Sequence, residues 1–175
     1  VELLGQQMTF LTDAGVFSKK MIDYGSRVLL SALEFNKKET LLDVGCGYGT
    51  LGLTLAKAQE LEVTLVDINQ RALDLARKNA DANQVSADIF QSNVYEHVTG
   101  QFHHIISNPP IRAGKQVVHE VISGSYEHLL ADGDLTIVIQ KKQGAPSAKV
   151  KMEEVFGNCE TLKKDKGYYI LRSVK

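Results

Sequence analysis

The stretch Leu41–Gly52, LLDVGCGYGTLG, decides how the rest of the chain is read. Together with Thr40 its first residues form a short apolar run, TLLDV, with the composition of a buried strand. Gly45, Gly47 and Gly49 follow, and a helix-period segment then runs from Leu51 to Gln59. Strand, glycine turn and helix in that order put the turn at the carboxyl edge of a sheet. There the backbone can approach a ligand and the helix N-terminus favours polar or anionic groups. The spacing is wrong for a dinucleotide fingerprint, because G-x-G-x-x-G requires a third glycine where this chain has Thr50. Asp43, at the strand end, would repel a pyrophosphate and suits a cationic ligand instead.

Working outward, EVTLVD (62–67) is a second strand ending in Asp67, 22 residues beyond Gly45. A carboxylate at that place can accept hydrogen bonds from both hydroxyls of a ribose lying over the sheet edge. Taken singly, Asp43 or Asp67 is equally well a turn or cap residue; at this spacing around a glycine turn they read together as a nucleoside-binding pair. Asn69 is placed to cap a helix whose apolar stripe is Ala72, Leu73, Leu75, Ala76 and Ala80. Strands are expected over 86–92, 102–107 and 135–140, with a helix over 117–130 between the last two. Gly144 and Pro146 open a last helix that stops at Gly157, and 159–165 and 168–174 close the chain as strands. Ahead of the first strand, Ser18 is the expected cap of a helix carrying Met21, Ile22, Val28, Leu29, Ala32 and Leu33, after an irregular lead-in from Phe10 to Phe17. The organisation is one domain, 1–175: an N-terminal lead-in and helix over 1–36 and an alternating β/α core over 37–175.

The fourth strand delivers SNPPIRAGK (107–115), which holds two of the chain's three prolines. Each proline fixes its own φ and drives the residue before it to an extended ψ, so Asn108 and Pro109 have little freedom. Neither Pro109 nor Pro110 has an N–H, which leaves a rigid row of acceptors: the Asn108 side-chain oxygen and adjoining carbonyls. Such a row fits an exocyclic amine on a planar ring. Holding the amine hydrogens favours pyramidalisation and stabilises the positive charge that grows on nitrogen during attack on a methyl donor, so no strong base is required beforehand. The plain alternative is a turn that ends a strand.

Net charge is -1, which excludes a globally basic nucleic-acid binder. From Lys141 onward, nine Lys or Arg stand against four Asp or Glu, a local excess that fits either a solvated surface or a phosphate-binding one. Cys46 and Cys159 lie far apart without metal-ligand spacing, as expected of free thiols in a reducing cytoplasm. No apolar run reaches the roughly 18 residues of a membrane span.

DVGCGYG followed by the strand-ending Asp67 resembles the class I S-adenosylmethionine-dependent methyltransferases. The resemblance implies an α/β, three-layer Rossmann-like doubly wound sheet of about seven strands, mostly parallel with an antiparallel final strand. It implies S-adenosylmethionine as cofactor, with Gly45, Cys46, Gly47 and Gly49 beside its methionine portion, Asp43 near that portion's amino group, and Asp67 with Ile68 at the ribose. Asn93 stands where the family commonly has an acid for the adenine amino group, and Asn108, Pro109 and Pro110 would be the catalytic turn, with Asn108 also contacting the cofactor. Amino-methylating members carry an aromatic residue after the second proline, where this chain has Ile111. NPPIRAGK, with GVFS (15–18) upstream and Gln143-Gly144-Ala145 downstream, is similar to the ribosomal RNA small subunit methyltransferase C group and its short single-domain relatives. That likeness runs from about Phe10 to Leu171 and implies a 16S rRNA guanine-N2 amine as acceptor. The partner would be small-subunit rRNA or its particle, with neither metal nor membrane involved. Longer members carry an extra N-terminal domain, and this chain is expected to correspond to the shorter form.

Further substrate-binding candidates are Phe17, which covers the cofactor, stacks on the base or simply packs in the core, and Ile111. Arg112, Lys115, Lys141 and Lys142 project from the same edge as Asn108 and suit RNA phosphates. Adjacent strand residues His103 and His104 face opposite sides, which argues against a shared metal. Adenine N6 or a protein glutamine is the alternative acceptor. A non-catalytic, cofactor-dependent RNA-binding module is the alternative class, and a dehydrogenase is disfavoured by the glycine spacing.

Overall fold

The computed structural model describes residues 1–13, 15–16 and 22–175, and of Gly15, Val16 and Ile111 only the backbone. In chain order the elements are β1 (Glu2–Leu3), β2 (Gln6–Gln7), β3 (Leu11–Thr12), β4 (Gly15–Val16), α1 (Tyr24–Ala32), β5 (Thr40–Val44), α2 (Thr50–Gln59) and β6 (Glu62–Asp67). They continue with α3 (Gln70–Ala82), β7 (Ala87–Gln91), β8 (Phe102–Ser107), α4 (Gly114–Ser125), β9 (Leu129–Gln140), α5 (Lys141–Phe156), β10 (Glu160–Asp165) and β11 (Tyr168–Val174).

Seven of these strands form one sheet in the order β10-β11-β9-β8-β5-β6-β7. The pairs from β9 to β7 are parallel, and β11 lies antiparallel between β9 and β10. This is the doubly wound, mostly parallel sheet with an antiparallel final strand that the sequence implies. Its order reverses at β5 and β8, whose carboxyl ends meet as Val44 paired with Ser107. Such a switch point opens a crevice where ligands bind in sheets of this kind. Both motif strands, DVG and SNPP, end there.

Alternation along each strand divides the core into two layers. Leu41, Ile106, Val138 and Ile170 pack with Leu29 of α1, Leu53 and Leu55 of α2 and Leu73 of α3 on one face. Leu42, Ile105, Ile137 and Leu171 pack with Val118 and Ile122 of α4 and Met152 of α5 on the other. Most of these side chains are fully buried; at roughly 1.5 to 3 kcal/mol each, they hold the sheet against the entropy of ordering it.

Three sequence expectations need correction. The helix expected over 117–130 starts at Gly114, is followed by a 3-10 turn over Tyr126–His128, and gives way to β9 at Leu129. Leu129 is fully buried opposite Phe102, and a Cβ on Gly133 would lie 2.8 Å from the His103 carbonyl, so close strand pairing claims residues that look like a last helical turn. The first helix is capped by Asp23, which accepts from the Ser26 N–H; Ser18 and Met21 lie outside the described residues. Helix α5 begins at Lys141, ahead of Gly144, and bends at Gly144, where φ is 119°. Its end at Gly157, with φ 80°, is the one expected.

The lead-in is more ordered than its sequence suggests. Buried Asn79 of α3 donates to the carbonyls of Leu11 (3.0 Å) and Tyr48 (2.9 Å) and accepts from the Leu11 N–H. Asn83, one turn on, grips Thr9 N–H and C=O at 2.8 and 2.7 Å. Two side-chain amides thus act as a strand partner for the lead-in and tie it to the glycine turn.

Candidate functional site

At the carboxyl edge, the N–H groups of Gly45 and Cys46 both bond to the Val66 carbonyl at 2.9 Å, folding the glycine turn over the end of β6. Gly49 then takes φ 91° as the cap of α2. Gly45 and Gly47 have φ of 75° and 55°, and a Cβ on either would meet nothing within 4 Å. Their missing side chains therefore leave open space in front of the turn. Gly52 differs: a Cβ there would strike Leu65 at 2.3 Å, so it is a packing glycine.

That open space belongs to a cavity of about 410 Å³ at the switch point. Gly45, Gly47, Asp67 and Ile68 line one side, and Ser107, Pro109 and Pro110 the other. Asn93 lies at its rim, and Val94, Val117 and Val121 form an apolar wall. A larger depression of about 640 Å³ sits at the amino ends of β6 and β7, where no motif residue reaches it.

The Asp67 carboxylate is fixed by two backbone donors, Gly47 N–H at 2.8 Å and Asn69 N–H at 2.9 Å. A carboxylate has about four acceptor positions, so each oxygen keeps one for a ligand hydroxyl. Asn69 in turn caps α3 by accepting from Arg71 and Ala72. Ile68 is 62% exposed, a flat apolar side chain left beside that carboxylate.

Asp43 is 1% exposed and lies under the turn, not on the cavity lining. Its Oδ2 accepts from Gly52 N–H at 3.2 Å, while its Oδ1 is buried with no partner among the described residues. Burial, opposed by the Gly52 bond and helped by the Asp67 charge, pushes its pKa up to about 7. Cys46 also faces the core; burial first, then Asp43 and Asp67, hold its thiol strongly protonated.

Asn108 leaves β8 at the same edge. Its Nδ2 donates to Ser26 Oγ at 2.8 Å and lies 3.3 Å from both carboxylate oxygens of Asp23. These acceptors occupy the amide nitrogen and so settle which way the amide is turned. Its Oδ1 has no hydrogen-bond partner among the described residues; the cavity wall at this point is Ser107, Pro109 and Pro110, and Asn108 itself is not on the lining. The sequence expectation had Asn108 but not its holders. Asp23 and Ser26 are spaced as cap and third helical residue, a signal obscured by the competing Ser18. The valine wall was also missed, since only folding brings α4 against the end of β7.

Of the other expected residues, Arg112, Lys115, Lys141 and Lys142 are exposed and all lie along this edge. Phe17 and the Ile111 side chain lie outside the described residues. Among the described residues no cluster of His, Cys, Asp or Glu could hold a metal ion, and no helix is long and apolar enough to cross a membrane.

Comparison with known proteins bears on the same edge. The chain is 47% identical over 178 residues to the uncharacterized protein YbxB of Bacillus subtilis, covering 99% of this chain and 89% of that one. It is 37% identical to the ribosomal RNA small subunit methyltransferase C of Erwinia tasmaniensis, covering 97% of this chain and 50% of that protein. Among solved structures, the T. thermophilus 16S rRNA N2 G1207 methyltransferase, in complex with AdoMet and guanosine, superposes over 100% of this chain and 49% of its own, with a TM-score of 0.88 at 30% identity. The chain therefore spans about half the length of these two methyltransferases. The methyltransferase small domain model matches residues 7–172, and with the strand order, glycine cradle and clamped Asn-Pro-Pro turn already in place, the chain belongs to that methyltransferase family.

Proposed function

We propose that this chain is an S-adenosylmethionine-dependent methyltransferase whose acceptor is the exocyclic N2 amine of a guanine in 16S rRNA. The observation that carries the reading is the Asn108 amide, whose nitrogen is held by Asp23 and Ser26 so that its oxygen is left to accept, on the turn that leads Pro109 and Pro110 into the cavity. The relatives that act on small-subunit rRNA, and the related structure with guanosine bound, support the choice of acceptor.

The cavity fits the cofactor. Gly45 and Gly47 leave the backbone bare where the methionine portion would lie, and Asp67 offers two free acceptor positions to a ribose. Ile68 and Val94 would flank an adenine, with Asn93 at its polar edge. Asp43 supports the turn from below through Gly52. Bound there, S-adenosylmethionine would supply an electrophilic sulfonium methyl group for the amine lone pair, with the sulfide as leaving group and the amine's proton passing to solvent.

What Asn108 adds is timing. Its oxygen and the carbonyl beside it hold the amine hydrogens, and that interaction strengthens as positive charge grows on nitrogen. An acceptor already oriented does not have to reorganise during the step, and one such interaction contributes about 3 to 4 kcal/mol.

The test is to incubate the protein with methyl-labelled cofactor and either small-subunit particles or naked 16S rRNA, then locate the label by nuclease digestion and mass spectrometry. Label in N2-methylguanosine is the expected result. Label in N6-methyladenosine or in a protein glutamine would transfer the same chemistry to another planar amine. No label in any fraction, with cofactor bound, would leave a cofactor-dependent binding module.

A further inference from the structure

The turn between β10 and β11 is anchored at the site's edge. The Lys141 N–H bonds to the Gly167 carbonyl at 2.8 Å, and Gln140 pairs with Tyr168, so the tip of this hairpin stands level with the carboxyl end of β9. Two exposed lysines flank the tip. Lys166 Nζ lies 4.9 Å above the Tyr24 ring, and Lys164 Nζ lies 4.9 Å from the Tyr169 ring. Neither has a carboxylate partner within ion-pair distance among the described residues. The tip's own acid, Asp165, is engaged by the Tyr24 hydroxyl, and that hydrogen bond raises the phenol's pKa.

Tyr24 ties this tip to the chemistry. It follows Asp23, whose carboxylate lies against the Asn108 amide, and its ring lies 5.7 Å from that of Tyr168. Lys166, Tyr24, Asp23 and Asn108 therefore form one unbroken run of neighbours from the hairpin to the catalytic turn. Arg112, Lys115, Lys141 and Lys142 extend the same edge.

We propose that the β10–β11 tip is an RNA-binding surface, with Lys166 and Lys164, one on each face of the hairpin, holding the backbone of the strand that flanks the target base, and the half-buried Tyr24 and Tyr168 rings beside Lys166 as an apolar platform. Cations without a carboxylate partner over half-buried aromatic rings suit a single strand, whose phosphates are drawn by the ammonium groups and whose bases stack on the accessible part of the rings. Anchored to the end of β9 and linked to Asn108 through Tyr24 and Asp23, the tip fixes the register of the chain while the amine enters the site. This rests on the reading that the acceptor is RNA.

The experiment measures binding, which does not depend on turnover. A fluorescent single-stranded 16S rRNA fragment is titrated at several salt concentrations with the native protein, with Lys164→Gln/Lys166→Gln, and with Lys37→Gln/Lys38→Gln on the opposite edge. Each phosphate contact contributes about 0.7 to the slope of log affinity against log salt on single strands, so the hairpin variant should lose about 1.4 from that slope. Its affinity in moderate salt should fall about tenfold, with thermal midpoint and cofactor affinity unchanged. The opposite-edge variant should behave as the native protein. An unchanged slope in the hairpin variant, or an equal loss in the opposite-edge variant, overturns the surface, as does native protein that does not bind the fragment. Native protein that binds RNA through these lysines but places no label on it would overturn the RNA-methylation reading alone.

Discussion

At the amino edge of the sheet, His104 holds one ring nitrogen 2.6 Å from Asp134 Oδ1 and the other 2.9 Å from Glu39 Oε1, with Phe35 stacked 3.8 Å from its ring. Arg172 takes the second Asp134 oxygen at 2.8 Å and reaches Glu160 at 3.0 Å. At the carboxyl edge of the same sheet, the Asn108 amide is held through its nitrogen and its oxygen has no partner among the described residues, Asp67 keeps two acceptor positions, and two glycines leave space where side chains would stand. Both clusters are polar and both rest on parallel strands. The first satisfies its charges internally, although a cavity of about 360 Å³ adjoins it. The second leaves acceptor positions on Asp67, and the Asn108 oxygen, unfilled among the described residues. What separates a structural network from a site is therefore where the last lone pairs point, not how many charged residues gather.

Replacing Asn108 by Ala should sharpen this contrast most. Loss of one preorganised acceptor should lower kcat on the order of 10²- to 10³-fold. Cofactor affinity should stay within a few fold, because Asp67 and the glycine turn are untouched. Single-turnover kinetics with calorimetry of cofactor binding would separate the two, and unaltered turnover would remove Asn108 from the chemistry.

His104→Gln should do the reverse, leaving turnover per folded molecule unchanged while lowering stability by about 1.5 to 3 kcal/mol near pH 6. Burial opposes the charged imidazole, but the bonds to Asp134 and Glu39 outweigh it and hold the pKa above its ordinary 6.5. That stabilisation is complete below 6.5 and is lost as pH rises through the higher folded value. Burial likewise acts against the Glu39 carboxylate, yet its bond to His104 draws its pKa below the usual 4.5, so its share is lost as pH falls through the lower folded value. The deficit of the variant should thus be widest between about 4.5 and 6.5 and narrow at pH 9. Urea melts at three pH values would show this, and a deficit that widened at pH 9 would contradict the charged pairing.

The smallest effect expected is at Asp23, which belongs to both structure and site. Serine caps a helix about as well as aspartate but is too short to reach Asn108. Asp23→Ser should keep the thermal midpoint and lower kcat about tenfold, with KM for the acceptor nearly unchanged, whereas Asp23→Asn, which keeps cap and reach, should recover most of the rate. Equal kcat for the serine variant and the native protein would show that Asp23 is only a cap.

Much of this arrangement can be read along the chain. Strands β5, β6 and β8 fall on their apolar runs because a parallel strand covered on both faces needs continuous Val, Ile and Leu. Asn69 caps α3 as its position suggests, since the cap bond is local. The start of β9 was not legible: Leu129 and Leu130 suit a helix by composition, and only pairing with Phe102 makes them strand. Nor was the order of the lead-in, where Asn79 and Asn83, polar residues on a helix, supply hydrogen bonds from nearly seventy or more positions away.

By itself, then, the sequence determined what short-range physics controls: the alternation of strand and helix, the bare backbone of the Gly45–Gly49 turn, and the stiffness of Asn108-Pro109-Pro110. Tertiary structure alone decided which groups those features meet. It brought β5 and β8 together so that both motifs share one crevice, turned the Asn108 amide by laying Asp23 and Ser26 behind it, and sank Asp43 beneath the turn. The reason is one of range. Glycine and proline act on the dihedrals of their own and adjacent residues, whereas the direction of a side-chain lone pair depends on partners that sequence separation places, in the case of Asn108 and Asp23, 85 residues apart.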